Sequence, residues 1–187
     1  IIQQYREVSK VKDFEQSYLM YGFIVPEILS ADYTKLKLLN TYLGGGMSSL
    51  LFQELREKAG LGYELDSFYP TRKDKSHFVV YIGLDNTAIK TAEEKITMLF
   101  DKLRTELISE DRLKEVKKYL TGNYIFGHQT NSQQAWYLGW WEILGKGYEY
   151  DDIYLNELNK VTAEEIREVA NKYLIDKYVV CRILSKK

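Results

Sequence analysis

Leu43-Gly44-Gly45-Gly46-Met47-Ser48-Ser49-Leu50-Leu51-Phe52-Gln53-Glu54-Leu55-Arg56-Glu57-Lys58-Ala59-Gly60-Leu61-Gly62-Tyr63 runs three glycines into an amphipathic segment, ends that segment at a glycine, and reopens on a tyrosine. The pattern predicts a turn, a helix and a strand. Ser48 or Ser49 caps the helix, Leu51, Phe52 and Leu55 make its apolar stripe, and Gly60 supplies a left-handed terminator. Arg56 then lies in the last helical turn and Tyr63 near the start of the strand, so two polar side chains converge at one corner. On these residues alone, two readings stay open. Arg56 and Tyr63 either form part of a site, or Arg56 complements the negative end of the helix and Tyr63 packs on the sheet.

Outward from that corner the chain reads as one α+β domain. The run Ser17 to Val25 is apolar on both parities and predicts a strand covered on both faces. Ser30 to Leu43 predicts a helix, with Leu36, Leu39, Tyr42 and Leu43 at helical spacing. Beyond the corner, Leu61 to Tyr69 alternates as a half-exposed strand, and His77 to Leu84 follows as its hairpin partner. Asp85-Asn86 caps a long helix carrying Ala92, Ile96, Leu99, Phe100, Leu103 and Leu107. Ser109 opens a second one, with Leu113, Val116 and Leu120 facing inward. A third begins at the capping box Thr130-x-x-Gln133, with Trp136, Trp140, Ile143 and Leu144 as its apolar positions. A short helix is expected around Leu155 and Leu158. Thr162-Ala163-Glu164-Glu165 caps a last helix, and Lys177 to Leu184 is a closing strand that buries Cys181. Ile1 to Gln16 reads as a polar surface lead-in. The order β-α-α-β-β-α-α-α-α-β implies an antiparallel or mixed sheet with helices on one face, over residues 1–187 as a single domain.

Composition narrows the chemistry. The 187 residues are enough to bury a core without staples, and 45% hydrophobic with 28% charged residues is globular. Twenty-six basic and 27 acidic residues leave a net charge of −1, which supplies no field for nucleic acid or an anionic membrane. No apolar run approaches membrane-spanning length, and no signal-peptide layout is visible at the N-terminus. The single cysteine favours an intracellular, cytoplasmic setting. The start at Ile1, without an initiator Met, suggests a fragment of a longer two-domain chain.

The two histidines, His77 and His128, are far apart, and neither H-E-x-x-H nor H-x-x-E-H nor C-x-x-C occurs. This chain is therefore expected to hold no metal, with both histidines structural or solvated. The glycines are not followed by Gly-Lys-Ser/Thr, so a nucleotide site is not expected, and no G-x-S-x-G frames a serine nucleophile.

The stretch from Leu43 to Tyr63 resembles the signature of the C-terminal, inactive domain of the M16, or pitrilysin-type, zinc metallopeptidases. The early strand Gln16 to Val25, the helix start Ser109-Glu110-Asp111-Arg112-Leu113 and the closing Val161-Thr162-Ala163-Glu164-Glu165-Ile166 through Tyr173-Leu174 fit the same pattern. The family includes the mitochondrial processing peptidase and the core proteins of the respiratory bc1 complex. The resemblance implies a LuxS/MPP-like metallohydrolase fold, in which two homologous domains form a clamshell. The N-terminal domain or subunit binds zinc through H-x-x-E-H and a distant Glu, and it would be the partner of this chain in a homo- or heterodimer or in one polypeptide. The C-terminal domain closes the chamber and presents an arginine and a tyrosine seven positions apart to the peptide substrate. Arg56 and Tyr63 match that spacing and are carried over as catalytic and substrate-binding residues: Arg56 to anchor a peptide carbonyl, Tyr63 to donate to the developing oxyanion. The chain alone is then inactive. One departure stands out: the matching turn in the non-catalytic subunit of the processing peptidase is a much longer glycine-rich loop, whereas Gly44 to Gly46 suits a helix–helix joint. The expected function is the substrate-binding, chamber-closing half of a zinc endopeptidase. The alternative is a non-catalytic assembly module of the same family.

Overall fold

The computed structural model describes residues 4–186. Five strands form one mixed sheet in the order β1-β5-β2-β4-β3: β1 is Arg6–Lys12, β2 Ser17–Val25, β3 Glu64–Phe68, β4 Ser76–Leu84 and β5 Tyr178–Ser185. The pairs β2 with β4, β2 with β5, and β3 with β4 are antiparallel, whereas β1 joins β5 in parallel. Six helices accompany the sheet: α1 Tyr33–Gly44, α2 Ile89–Thr105, α3 Glu110–Phe126, α4 Asn131–Leu144, α5 Tyr150–Lys160 and α6 Ala163–Tyr173. The α+β class, with a mixed sheet and helices packed on one face, agrees with the sequence.

Side-chain alternation defines the covered face. Leu19, Tyr21, Phe23 and Val25 are buried toward the helices, while Met20 and Ile24 point out of the opposite face and are exposed. The expectation that β2 is covered on both faces is thus corrected, because every helix lies on the other side. Across the inward face, Tyr21 pairs with Val80 on β4 and Val180 on β5, and Phe23 with Phe78. Phe100 of α2 closes edge-on over both Tyr21 and Phe23. Cys181 lies on the outer face and is half-buried, so it is not the core residue expected.

The capping signals hold. Ser109 accepts from the Arg112 amide, and both capping boxes, Thr130 with Gln133 and Thr162 with Glu165, are formed. Asp85 accepts from Thr87 and starts a 3-10 turn that leads into α2. Three features depart from the sequence reading. The lead-in contains β1, a strand exposed along its whole length and tied to β5. The expected short helix is the full α5. In α4 the inward side chain is Trp141, 1% exposed, whereas Trp136 at 57% and Ile143 at 75% face away from the core. Among the described residues no helix is long and apolar enough to cross a membrane.

Candidate functional site

The corner from Gly44 to Tyr63 is built by close backbone approaches. A methyl group on Gly44 would come within 2.3 Å of the Ser67 amide, so only glycine lets the end of α1 lie against β3. The segment that follows is π-helical, Phe52–Glu57, its wider turn marked by the Lys58 amide donating to Gln53 O, five residues back, at 3.1 Å. Sequence periodicity predicted an ordinary helix here, since apolar spacing over one or two turns does not distinguish the two windings. Gly60 takes positive φ (+65°), as expected of the terminator, and the Gly60 amide donates to Arg56 O.

Gly62, at φ +66°, sets the position of Tyr63. A Cβ there would be 2.6 Å from Gly83 O, so the backbone passes tightly over β4 and turns the next side chain outward. Tyr63 is 80% exposed, and among the described residues its hydroxyl has no hydrogen-bond partner. Arg56 is exposed as well. Its Nη1 donates to the backbone oxygen of Tyr63 at 3.3 Å, and its guanidinium lies over the Phe52 ring, 4.9 Å from the centroid. The two expected site residues are therefore adjacent, joined through the Tyr63 main chain and not through its phenol. Phe52 was read from the sequence only as part of the apolar stripe, and Gly62 was not singled out. The i, i+4 spacing of Phe52 and Arg56 on one helix was the available signal for the first.

The helix leading to Arg56 is anchored at its start, where the Gln53 amide group donates to Met47 O at 2.9 Å. Beside it, Tyr42, Ser48, Leu50, Gln53 and Arg112 line a cavity of about 310 Å³. The guanidinium keeps most of its five N–H donors unused, and the phenol can both donate and accept. The pair can thus hold a carbonyl oxygen and supply a proton donor to an oxygen that gains charge.

Two polar clusters stand elsewhere in the fold. Lys37 on α1 donates to Tyr69 O at 2.9 Å between the rings of Tyr33 and Tyr69, and burial draws its amine down to about 8. Asp151 Oδ1 accepts from Trp141 Nε1 at 2.8 Å, His128 Nε2 at 3.0 Å and the Tyr124 hydroxyl. Burial alone would raise this carboxyl, but hydrogen bonds from Tyr124, His128 and Trp141 outweigh it and hold it below its usual range. His128 is accordingly part of a packed network, and it stacks on Tyr137. His77 sits on the outer sheet face, edge-on to Phe68, where burial lowers its pKa and Arg72 adds to the shift.

Among the described residues no three His, Cys, Asp or Glu side chains are grouped so that they hold a metal ion. The donors among the described residues do not fit the zinc that the resemblance implies.

Residues 2–120 match the model of the Peptidase M16 inactive domain. The uncharacterised zinc protease YmxG of Bacillus subtilis is 29% identical over 178 residues, covering 95% of this chain and 43% of that protein. An uncharacterised zinc protease of Rickettsia felis is 30% identical over 174 residues, covering 86% of this chain and 39% of that protein. The chain thus spans about two fifths of the length of these curated relatives. Among solved structures, the peptidase M16 inactive domain from Pseudomonas fluorescens aligns with a TM-score of 0.89 at 20% identity, over 98% of this chain and 44% of that one. The inactive peptidase domain from Bordetella parapertussis aligns with a TM-score of 0.80 at 13% identity, over 95% of both chains. At such identities these structures speak for the fold alone. With the family model covering well over half of its length, the chain belongs to the M16 peptidases, as their inactive domain.

Proposed function

We propose that this chain is the substrate-binding, chamber-closing half of a zinc endopeptidase whose metal is held by another half. The observation that carries this reading is the pairing of Arg56 with Tyr63. Arg56 is tied to the Tyr63 main chain at a corner made by a π-helical turn and a glycine at positive φ, and both side chains stand exposed. A fold with no use for them would not hold them so. Arg56 anchors a carbonyl of the peptide backbone by charge-assisted hydrogen bonds. The Tyr63 phenol donates to the oxygen that becomes anionic as the scissile carbonyl turns tetrahedral. The zinc of the other half supplies the activated water when bound. The relatives' names as zinc proteases, and their greater length, support a second half with that metal.

The test is Tyr63→Phe in the protease assembled with its zinc-bearing half. Turnover is expected to fall by about 10² to 10³-fold with a smaller change in KM, as for removal of one oxyanion donor. Unchanged turnover overturns the role of Tyr63. Stoichiometric zinc bound by this chain alone, or peptide hydrolysis by it alone, overturns the division of labour. Assembly with a partner that hydrolyses no peptide supports the structural-module reading instead.

A further inference from the structure

Helix α1 begins without a side-chain cap. Asp32 stands at the N-cap position, yet its carboxylate makes no hydrogen bond to the helix; its Oδ2 accepts from Lys172 and from the Tyr173 hydroxyl, both at 2.7 Å. Among the described residues the amides of Thr34 and Lys35 find no acceptor. The first amides of a helix need partners from a side chain, water or a ligand. No acidic side chain lies in that turn to meet the positive end of the helix dipole.

A cavity of about 320 Å³ opens at this end of α1, bounded by the loop after α4, the end of α5 and the start of α6. Thr34 lines it. This residue is 8% exposed, and among the described residues its hydroxyl has no hydrogen-bond partner. A buried hydroxyl in that state costs stability until a partner arrives. Asn40 Oδ1 is the one fully enclosed side-chain atom without a partner among the described residues, so the Thr34 hydroxyl keeps an opening, and the cavity is the space it borders.

The charges around the cavity favour an anion. Its two carboxylates are both engaged: Glu165 lies 3.1 Å from Lys35 and accepts from the Thr162 amide, and Glu157 accepts from the Tyr150 hydroxyl. Lys146 and Lys160 also line the cavity, and among the described residues neither has an ion pair. Lys146 lies instead over the Tyr150 ring, 4.3 Å from its centroid. Two unpaired cations, an unpartnered hydroxyl and two uncapped amides thus border one space.

We infer that this cavity binds the phosphate group of a small phosphorylated molecule, with the Thr34 hydroxyl, the Thr34 and Lys35 amides and the ammonium groups of Lys146 and Lys160 as its donors. A helix N-terminus flanked by cations is suited to an oxyanion, and two unpaired lysines match the nearly double charge of a phosphate monoester better than the single charge of a carboxylate. The volume is about ten times the share of one water molecule, which leaves room for an organic part beside Ala31 and Val161. Arg56 and Tyr63 lie past the opposite end of α1, which at 12 residues is about 18 Å long, so the two sites are separate.

The test titrates the protein that contains this chain with inorganic phosphate at constant ionic strength and follows the backbone amide resonances of Thr34 and Lys35 by NMR. Both are expected to shift saturably, with a Kd of about 1 mM or tighter, and acetate is expected to bind about tenfold more weakly or not at all. A shift that never saturates, or acetate binding as tightly as phosphate, overturns the inference. Glycerol phosphate distinguishes the sources of the group: affinity about fivefold above that of inorganic phosphate supports an ester, and equal affinity supports the free ion. The double variant K146M/K160M, which keeps the apolar stems, is expected to weaken phosphate binding about tenfold or more with its melting temperature retained. Thr34→Val is expected to weaken it about two- to tenfold. Undiminished affinity in both variants overturns the site. None of these readouts uses peptide hydrolysis, so this site and the role of Tyr63 fail separately.

Discussion

The guanidinium of Arg56 donates to the backbone oxygen of Tyr63, 3.3 Å away, and leaves the Tyr63 phenol free in solvent. The bond ties the arginine to the main chain of the tyrosine across the corner. Its remaining donors serve whatever enters the site.

This double duty predicts the outcome of Arg56→Lys in the assembled protease. A lysine keeps the charge but loses the planar fork and its hold on both Tyr63 O and a substrate carbonyl. The loss is expected to be about 1.5–3 kcal/mol in kcat/KM, with thermal stability of the chain altered by less than about 0.5 kcal/mol, as for an exposed residue. Steady-state kinetics with one peptide and a melting curve decide it. A large loss of stability with intact kinetics makes the arginine a structural cap.

Gly44→Ala is expected to destabilise the chain by about 1–3 kcal/mol, since its methyl group would strike the Ser67 amide and hydroxyl. Chemical denaturation measures this directly. A neutral effect would mean that β3 shifts freely at its edge.

Asp151 yields a pH prediction. Its folded-state carboxyl is held below the unfolded value, so its contribution is present above the unfolded pKa, about 3.9, and disappears as pH falls through the folded pKa. Asp151→Asn is expected to cost about 1–3 kcal/mol near neutral pH, because the hydrogen bonds from Trp141, Tyr124 and His128 then end on a neutral amide oxygen instead of a carboxylate. That difference from the parent chain should shrink below about pH 4. Urea titrations at pH 7 and pH 3.5 test the convergence.

Lys37 gives the opposite slope. Its amine is drawn down to about 8 by burial, whereas in the unfolded chain it keeps its proton to about pH 10.4. Between those values the unfolded state binds the extra proton, so stability rises with pH. Because the residue is only half-buried, about 1–2 kcal/mol is expected between pH 7.5 and 9.5. Lys37→Met should flatten the rise. A variant with the same slope as its parent assigns the effect to other groups.

Much of this architecture was legible beforehand. The glycine turn, the helix ended by Gly60 and the caps at Ser109, Thr130 and Thr162 depend on a side chain bonding to backbone within a few residues, or on φ values that only glycine accepts readily, and α2 on its own apolar period from Ala92 to Leu103, with Leu107 beyond its end and exposed. The proximity of Arg56 and Tyr63 at one corner belongs to the same class, because a corner of seven residues allows few geometries, whereas their reading as a pair came from the resemblance.

What remained hidden depends on distant partners. The strand β1 carries no burial pattern of its own; it exists because β5 offers a free edge, with Lys12 reaching Ser185 across almost the whole chain. Ladder hydrogen bonds of that kind leave no mark in local sequence. The π winding at Phe52–Glu57 leaves no mark in an apolar spacing of one or two turns, and the convergence of Trp141, His128 and Tyr124 on Asp151 is set by the packing of α3, α4 and α5. Likewise the apolar spacing in α4 announced a buried face, but a helix rich in tryptophan all round has more than one candidate. The sequence by itself determined that Arg56 and Tyr63 meet at a corner. Only the tertiary structure decided that they meet through a main-chain carbonyl, with the phenol turned outward, because the close passage of Gly62 over Gly83 involves a strand that the local sequence does not contain.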